Sequence, residues 1–124
     1  MNILEEIAVA TVRISNTKKR IQKIYSNKEH SVSYSPSIIN TANKKYILNY
    51  PLLCLIKEEK NYYTVTNEQL DIIGTGEKIE DAEFNFNEEF NFLYLRLNSL
   101  DDTQLSKRLA RIKFILNSIV KEVQ

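Results

Sequence analysis

Apolar residues recur along this chain with two periods. In its second half Ile79, Ala82, Phe86, Phe90, Leu93 and Leu97 return at steps of three or four. That is the spacing of one helix face, and it predicts a helix over residues 78–98. Asp81, Glu83, Glu88 and Glu89 fill much of the remaining helix surface. Phe84, Phe92 and Leu95 widen the apolar area beyond one stripe, as expected of a helix that meets more than one neighbour. Asp101 and Asp102 break the run and are placed to cap a last helix. Its stripe is Leu105, Leu109, Ile112, Leu116, Ile119 and Val123, with Lys107, Arg108, Arg111 and Lys113 off it.

Upstream the period is two. Residues 62–66 read as a strand, with Tyr63 and Val65 on one face and Tyr62, Thr64 and Thr66 on the other. The polar stretch 57–61 is a hairpin loop. Before it, residues 46–56 form an apolar strand region in which Pro51 forces an edge position or a bulge. After it, Leu70, Ile72 and Ile73 make a short third strand ending at Gly74. Residues 31–35 alternate Val32 and Tyr34 against serines, a strand that Pro36 ends. The polar residues 37–45 read as a loop and a candidate joint. The first segment fits two patterns, a helix using Ile3, Ile7 and Ala10 or a strand over residues 8–14. Its β-branched density favours the strand. Asn16 and Thr17 would then cap a short basic helix over residues 18–25.

The fold class that follows is α+β. A small antiparallel sheet is covered on one face by the long helix, with the last helix beside it. The chain reads as one domain of residues 1–124. Its N-terminal unit, residues 1–35, is left open in structure, and residues 46–123 form a β-β-β-α-α core.

Composition supports this picture. The chain has 124 residues, 43% hydrophobic and 27% charged, which is ordinary globular material able to bury its own core. Its one cysteine, Cys54, sits in an apolar run and reads as a small buried hydrophobe. No signal peptide opens the chain and no apolar run is long enough to span a membrane, so a cytoplasmic setting is expected. The net charge of +1 hides a pattern: residues 1–34 carry +3, 35–76 balance, 77–102 carry −6 and 103–124 carry +4. An acidic element followed by a basic one implies two neighbours that attract each other, or two faces for different partners.

The candidate chemistry is sparse. Both glycines fall in Gly74-Thr75-Gly76, immediately before the long helix. A dinucleotide fingerprint would need a third glycine at position 79, which is Ile79. A phosphate loop would need Lys-Ser or Lys-Thr after Gly76, where Glu77-Lys78 stands. The glycines instead supply positive φ, or close approach, at a strand-to-helix corner. Ala82 should face the sheet and let helix and strands come close. His30 lies in a polar stretch, where it would titrate near neutral pH, and nothing marks it as pairing with Ser31 or Ser33. One His and one Cys do not make a zinc site. No cofactor, metal or catalytic residue is expected.

Two binding readings remain. "VATVRIS" followed by "NTKKRIQKIY" is a polar-faced strand then a basic helix, the way ribbon–helix–helix repressors begin. Thr11, Arg13, Lys18, Lys19 and Arg20 would then contact nucleic acid. The second helix of such a unit is missing, since Ser31-Val32-Ser33-Tyr34-Ser35-Pro36 follows. The other reading is a protein-binding module. Here Glu80, Glu83 and Glu88 would steer a basic partner, while Tyr62 and Phe92 supply affinity. The contrary reading is that these acids only answer the basic last helix, through Glu88 or Glu89 with Arg108 or Arg111. Edge strands and the surplus of apolar residues on the long helix favour a homodimer.

Residues 46–123 resemble the HicB-like antitoxins of bacterial toxin–antitoxin pairs. The resemblance rests on the apolar strand, "NYYTV", "LDIIGTG" and "KIEDAEFNFNEEF", in which Gly74, Gly76 and Ala82 match the family pattern. Lys78 stands where the family has Thr, Asp81 where it has Glu, and "NEQLDI" replaces a Pro-Asp-Leu-Pro-Gly turn. The resemblance implies a noncatalytic protein that binds and neutralises a basic toxin. The alternatives are a DNA-binding regulator using residues 9–24, or a structural subunit of a larger assembly.

Overall fold

In a computed structural model, residues 24–26 and 29–124 are described. The strands are β1 (Ile24–Ser26), β2 (Glu29–Tyr34), β3 (Ile38–Asn40), β4 (Lys45–Leu48), β5 (Cys54–Glu58), β6 (Tyr63–Asn67) and β7 (Ile72–Gly76). Then come α1 (Ile79–Asn98), a 3-10 turn (Asp102–Gln104), α2 (Lys107–Ile119) and a last strand, β8 (Val120–Val123). The strands form two antiparallel sheets, ordered β1-β2-β5-β6-β7 and β3-β4-β8. The fold is α+β, with α1 packed on a sheet and α2 as the second helix.

The register of the larger sheet decides which residues meet α1. Ile56, Val65 and Gly74 lie opposite one another across β5, β6 and β7. They share the inner face with Ile72, and α1 answers with Ala82, Phe86 and Phe90, all fully buried. A Cβ on Gly74 would stand against the Phe86 backbone nitrogen, 2.5 Å from its Cα and 2.6 Å from the Ala82 carbonyl oxygen. A Cβ on Gly76 would stand 2.5 Å from the Ala82 nitrogen. Neither glycine has a positive φ. Close approach, not backbone freedom, is therefore what the glycines supply. Both lie inside β7, which runs on to Gly76 instead of stopping at Gly74. The corner falls on Glu77-Lys78, and Lys78 is the extended residue before the helix.

The smaller sheet packs against another flank of α1. Tyr46 of β4 is buried, with its ring edge-on to Phe90 at 5.3 Å and to Tyr94 at 5.1 Å between centroids. Its hydroxyl donates to the Asn91 side-chain oxygen, so the ring enters the core without an orphaned polar group. Ile112, Leu116 and Ile119 of α2 close the core from the remaining side.

Several expectations change. Residues 37–45 are not a loop but hold β3 and the start of β4, and Ile39 is fully buried. Residues 46–56 are two strands in different sheets. Residues 49–53 cross between them, held by Asn49 N–H to the Ile119 carbonyl at 2.7 Å and Leu52 N–H to the Pro36 carbonyl at 2.9 Å. Pro51 sits in this crossing, where no ladder bond is lost. Asp101 caps the 3-10 turn, reciprocally with Gln104, and not α2. Ser106 caps α2, its hydroxyl accepting from Leu109 N–H at 3.1 Å. Val123 belongs to β8, opposite Tyr46, and not to the helix. Ile24 and Tyr25 are in strand β1 instead of a basic helix. The strand over 8–14 and the proposed nucleic-acid contacts Thr11, Arg13, Lys18, Lys19 and Arg20 lie outside the described residues.

Candidate partner-binding surface

Helix α1 covers one face of the larger sheet. The opposite face is set by the same register: Leu55, Thr66 and Ile73 lie in one row, and Lys57, Thr64 and Thr75 in the next. Leu55 is 41% exposed and Ile73 56%. Leu53, two residues before Leu55, is 76% exposed. Leu55 and Ile73 thus stand in one row on an open sheet face with Thr66 between them, and Leu53 lies at its margin. Antiparallel sheets often leave one face to water, but that face is then polar at alternate positions. Here β5 and β7 are apolar on both faces.

Beside this row lies an open depression of about 740 Å³, lined by Leu53, Leu55, Thr66, Glu68 and Gln69. Asn67 fixes its floor. Its amide nitrogen donates to the Leu53 carbonyl at 2.7 Å, and its oxygen accepts from Leu70 N–H at 2.7 Å. Asn67 is 4% exposed; its bond to Leu70 is buried and its bond to Leu53 partly so, and loss of the buried one is expensive. The turn closes at Asp71, whose φ of 58° suits a short acidic side chain. Arg108 of α2 pairs with the Asp71 carboxylate.

A second cluster lies on the inner face. Burial pushes the Glu83 carboxyl up to about 7, and the neighbouring Glu80 charge adds to the effect. Burial also raises the Tyr34 hydroxyl, helped by Glu83 and by Cys54. Burial alone pushes the Cys54 thiol up to about 12. At neutral pH this cysteine stays protonated, so it lacks the thiolate that a nucleophile or metal ligand requires. Glu83 instead holds or releases a proton close to neutrality.

The sequence-predicted site residues do not share one surface. Glu80 is exposed, but Glu83 is half-buried beside Tyr34. Glu88 is half-buried and accepts from Ala42 N–H at 3.1 Å. Tyr62 lies in the β5–β6 turn, at the end of the sheet where α1 begins, and Phe92 lies in the second half of α1 facing outward. Only Gly74, Gly76 and Ala82 are brought together, and their role is packing. The basic helix answers other partners than α1: Arg108 takes Asp71, and Lys113 takes Asp102 at 3.0 Å and the Leu100 carbonyl at 2.8 Å. Leu53, Leu55 and Ile73 were not singled out from the sequence. The signal was present as unbroken apolar pairs, Leu52-Leu53 just before β5 and Ile72-Ile73 in β7, where one face would otherwise be polar.

No protein-family model, curated protein or solved structure matches the chain. Among the described residues, no helix is long and apolar enough to cross a membrane, and no group of three His, Cys, Asp or Glu is placed to hold a metal ion.

Proposed function

We propose that this protein is a noncatalytic binding module that holds a partner protein on the outer face of its larger sheet. The observation that carries the reading is the row Leu55-Thr66-Ile73 with Leu53 beside it, aliphatic and open on a face that nothing in the described chain covers. Burying such a patch is favourable by roughly 25 cal/mol per Å² of apolar surface. The ladder beneath it holds the side chains in place before the partner arrives, which lowers the cost of ordering them. The HicB-like resemblance supplies the kind of partner: a small basic toxin, which this protein would bind and neutralise. Support for that comes from the β5-β6-β7-α1 order and from the packing of Gly74, Gly76 and Ala82, which agree with the pattern the resemblance rests on.

The test is affinity capture from the host cell with two baits, the wild-type chain and Ile73→Lys. One protein should be retained in near-equal amount by the wild type and be depleted at least tenfold with the variant. Equal retention by both baits, or no stoichiometric partner, would contradict the proposal. Retention of nucleic acid in place of protein would favour the regulator reading.

A further inference from the structure

The depression beside the Leu55-Thr66-Ile73 row combines two kinds of surface. Leu55 lies opposite Thr66 across β5 and β6. One step further along the same alternation, Leu53 and Glu68 come level, and both line the depression. Asn67 ties the chain together at that level, its amide nitrogen donating to the Leu53 carbonyl at 2.7 Å. The wall is aliphatic, made by Leu53 and Leu55, both exposed. The lip is polar, made by Thr66, Glu68 and Gln69, of which the last two are exposed. Glu68 is the one charged residue among those that line the depression. Among the described residues nothing pairs with its carboxylate. Arg108, which reaches the same turn, is taken by Asp71. Lys57 lies on the far side of the Leu55 row, opposite Thr64.

A purely apolar group in the depression would strip water from that carboxylate and give nothing back. An anion would be repelled by it. A lysine or arginine side chain suits both surfaces, because its methylene stem lies along apolar surface while its charged head stays at the edge. Leu53 and Leu55 are two residues apart on extended backbone, about 7 Å, a span that such a stem covers. The head then meets the Glu68 carboxylate, with the Thr66 hydroxyl and the Gln69 side-chain oxygen as further acceptors on the same lip. On the reading of the outer sheet face as the seat of a partner protein, we propose that the depression takes a lysine or arginine side chain of that partner. Its stem packs on Leu53 and Leu55, and its head pairs with Glu68. The partner must therefore present a protruding basic residue at the margin of the apolar patch that covers Leu55 and Ile73. A pair at this rim sets which partner is accepted and in which orientation, while the aliphatic row supplies the buried area.

The depression is tested on the full chain by NMR, with three small probes followed through the backbone amide signals. Two are basic, Nα-acetyl-arginine amide and Nα-acetyl-lysine amide. The third, Nα-acetyl-citrulline amide, has the shape of the arginine probe without its charge. At least one basic probe should move the signals of Leu53, Leu55 and Gln69 and bind at least fivefold tighter than the citrulline probe. Added salt should weaken the basic probes alone. Glu68→Gln should abolish the preference for the basic probes, with the circular dichroism spectrum unchanged. No shift with either basic probe, equal binding of the citrulline probe, or a preference that survives Glu68→Gln would overturn the proposal. The captured partner gives a second readout, in which Glu68→Lys should deplete it at least tenfold. Depletion by Ile73→Lys with full retention by Glu68→Lys would sink the basic side-chain site and leave the sheet-face reading standing. A chain that prefers the basic probes through Glu68 but captures no partner would contradict the sheet-face reading alone.

Discussion

An alanine at Gly74 would place its methyl 2.5 Å from the Phe86 Cα and 2.6 Å from the Ala82 carbonyl oxygen. Both obstacles are helix backbone, which cannot step aside by changing rotamer. Gly74→Ala should therefore cost at least about 3 kcal/mol, near the severe end for single substitutions. Chemical denaturation checks this, and a loss below 1 kcal/mol would mean that α1 does not lie so close to β7. Glu83 gives the second residue-scale prediction. Its folded pKa, about 7, lies above the ordinary 4.5. Below the lower value both states hold the proton and the native state carries no penalty. As the pH rises from about 4.5 through 7, the unfolded chain ionises first, so stability falls and then levels off. The loss by pH 8 is on the order of 3 kcal/mol. Glu83→Gln should remove that part of the pH dependence, so the wild type should lose stability relative to it between pH 4.5 and 8 in urea titrations. A constant difference across that window would show that Glu83 is solvated.

Among the elements, α1 was legible because twenty residues keep one period, and no local choice within the run contradicts it. Strand β6 was legible for the matching reason: Tyr63 and Val65 alternate with threonines. The β3–β4 hairpin was not. β3 is three residues long, and only Ile39 of it is buried, too little alternation to register against the polar residues around it. Nor was β8. Val120 and Val123 continue the three- and four-residue steps of α2, and only pairing with β4 turns them into a strand. Such long-range pairing leaves no mark in a local window. The sheet-face residues were hidden by the same limit. The run Leu52-Leu53-Cys54-Leu55-Ile56 does not say which residues face α1 until the partner strands are in register. The depression beside that run depends on the β6–β7 turn, which Asn67 ties to Leu53. Asn67→Ala would strand the Leu53 carbonyl and the Leu70 N–H. It should cost about 2 kcal/mol and speed amide hydrogen exchange at Leu70. Unchanged exchange there would mean that the turn is held by other bonds.

For the whole molecule, the segment charges of −6 over residues 77–102 and +4 over 103–124 suggested an acidic helix facing a basic one. In the fold the two basic groups with close partners, Arg108 and Lys113, reach Asp71 and Asp102 at the turns instead. The acids of α1 are left to different tasks: Glu83 inside, Glu88 on the β3–β4 turn, Glu80 and Asp81 outward. The molecule thus has two unlike open surfaces on opposite sides of one sheet. One is an aliphatic sheet face proposed for a foreign partner, and the other is the face of α1 that carries Phe84, Phe92 and Leu95. The account stands or falls on the sheet face. The most direct measurement is the affinity of the captured partner for three chains: wild type, Leu55→Lys and Phe92→Asp. Leu55→Lys should weaken binding at least tenfold, and Phe92→Asp should leave it within about twofold, the scale of a contact outside the interface. Loss of affinity in Phe92→Asp with none in Leu55→Lys would place the partner on the helix and contradict the account.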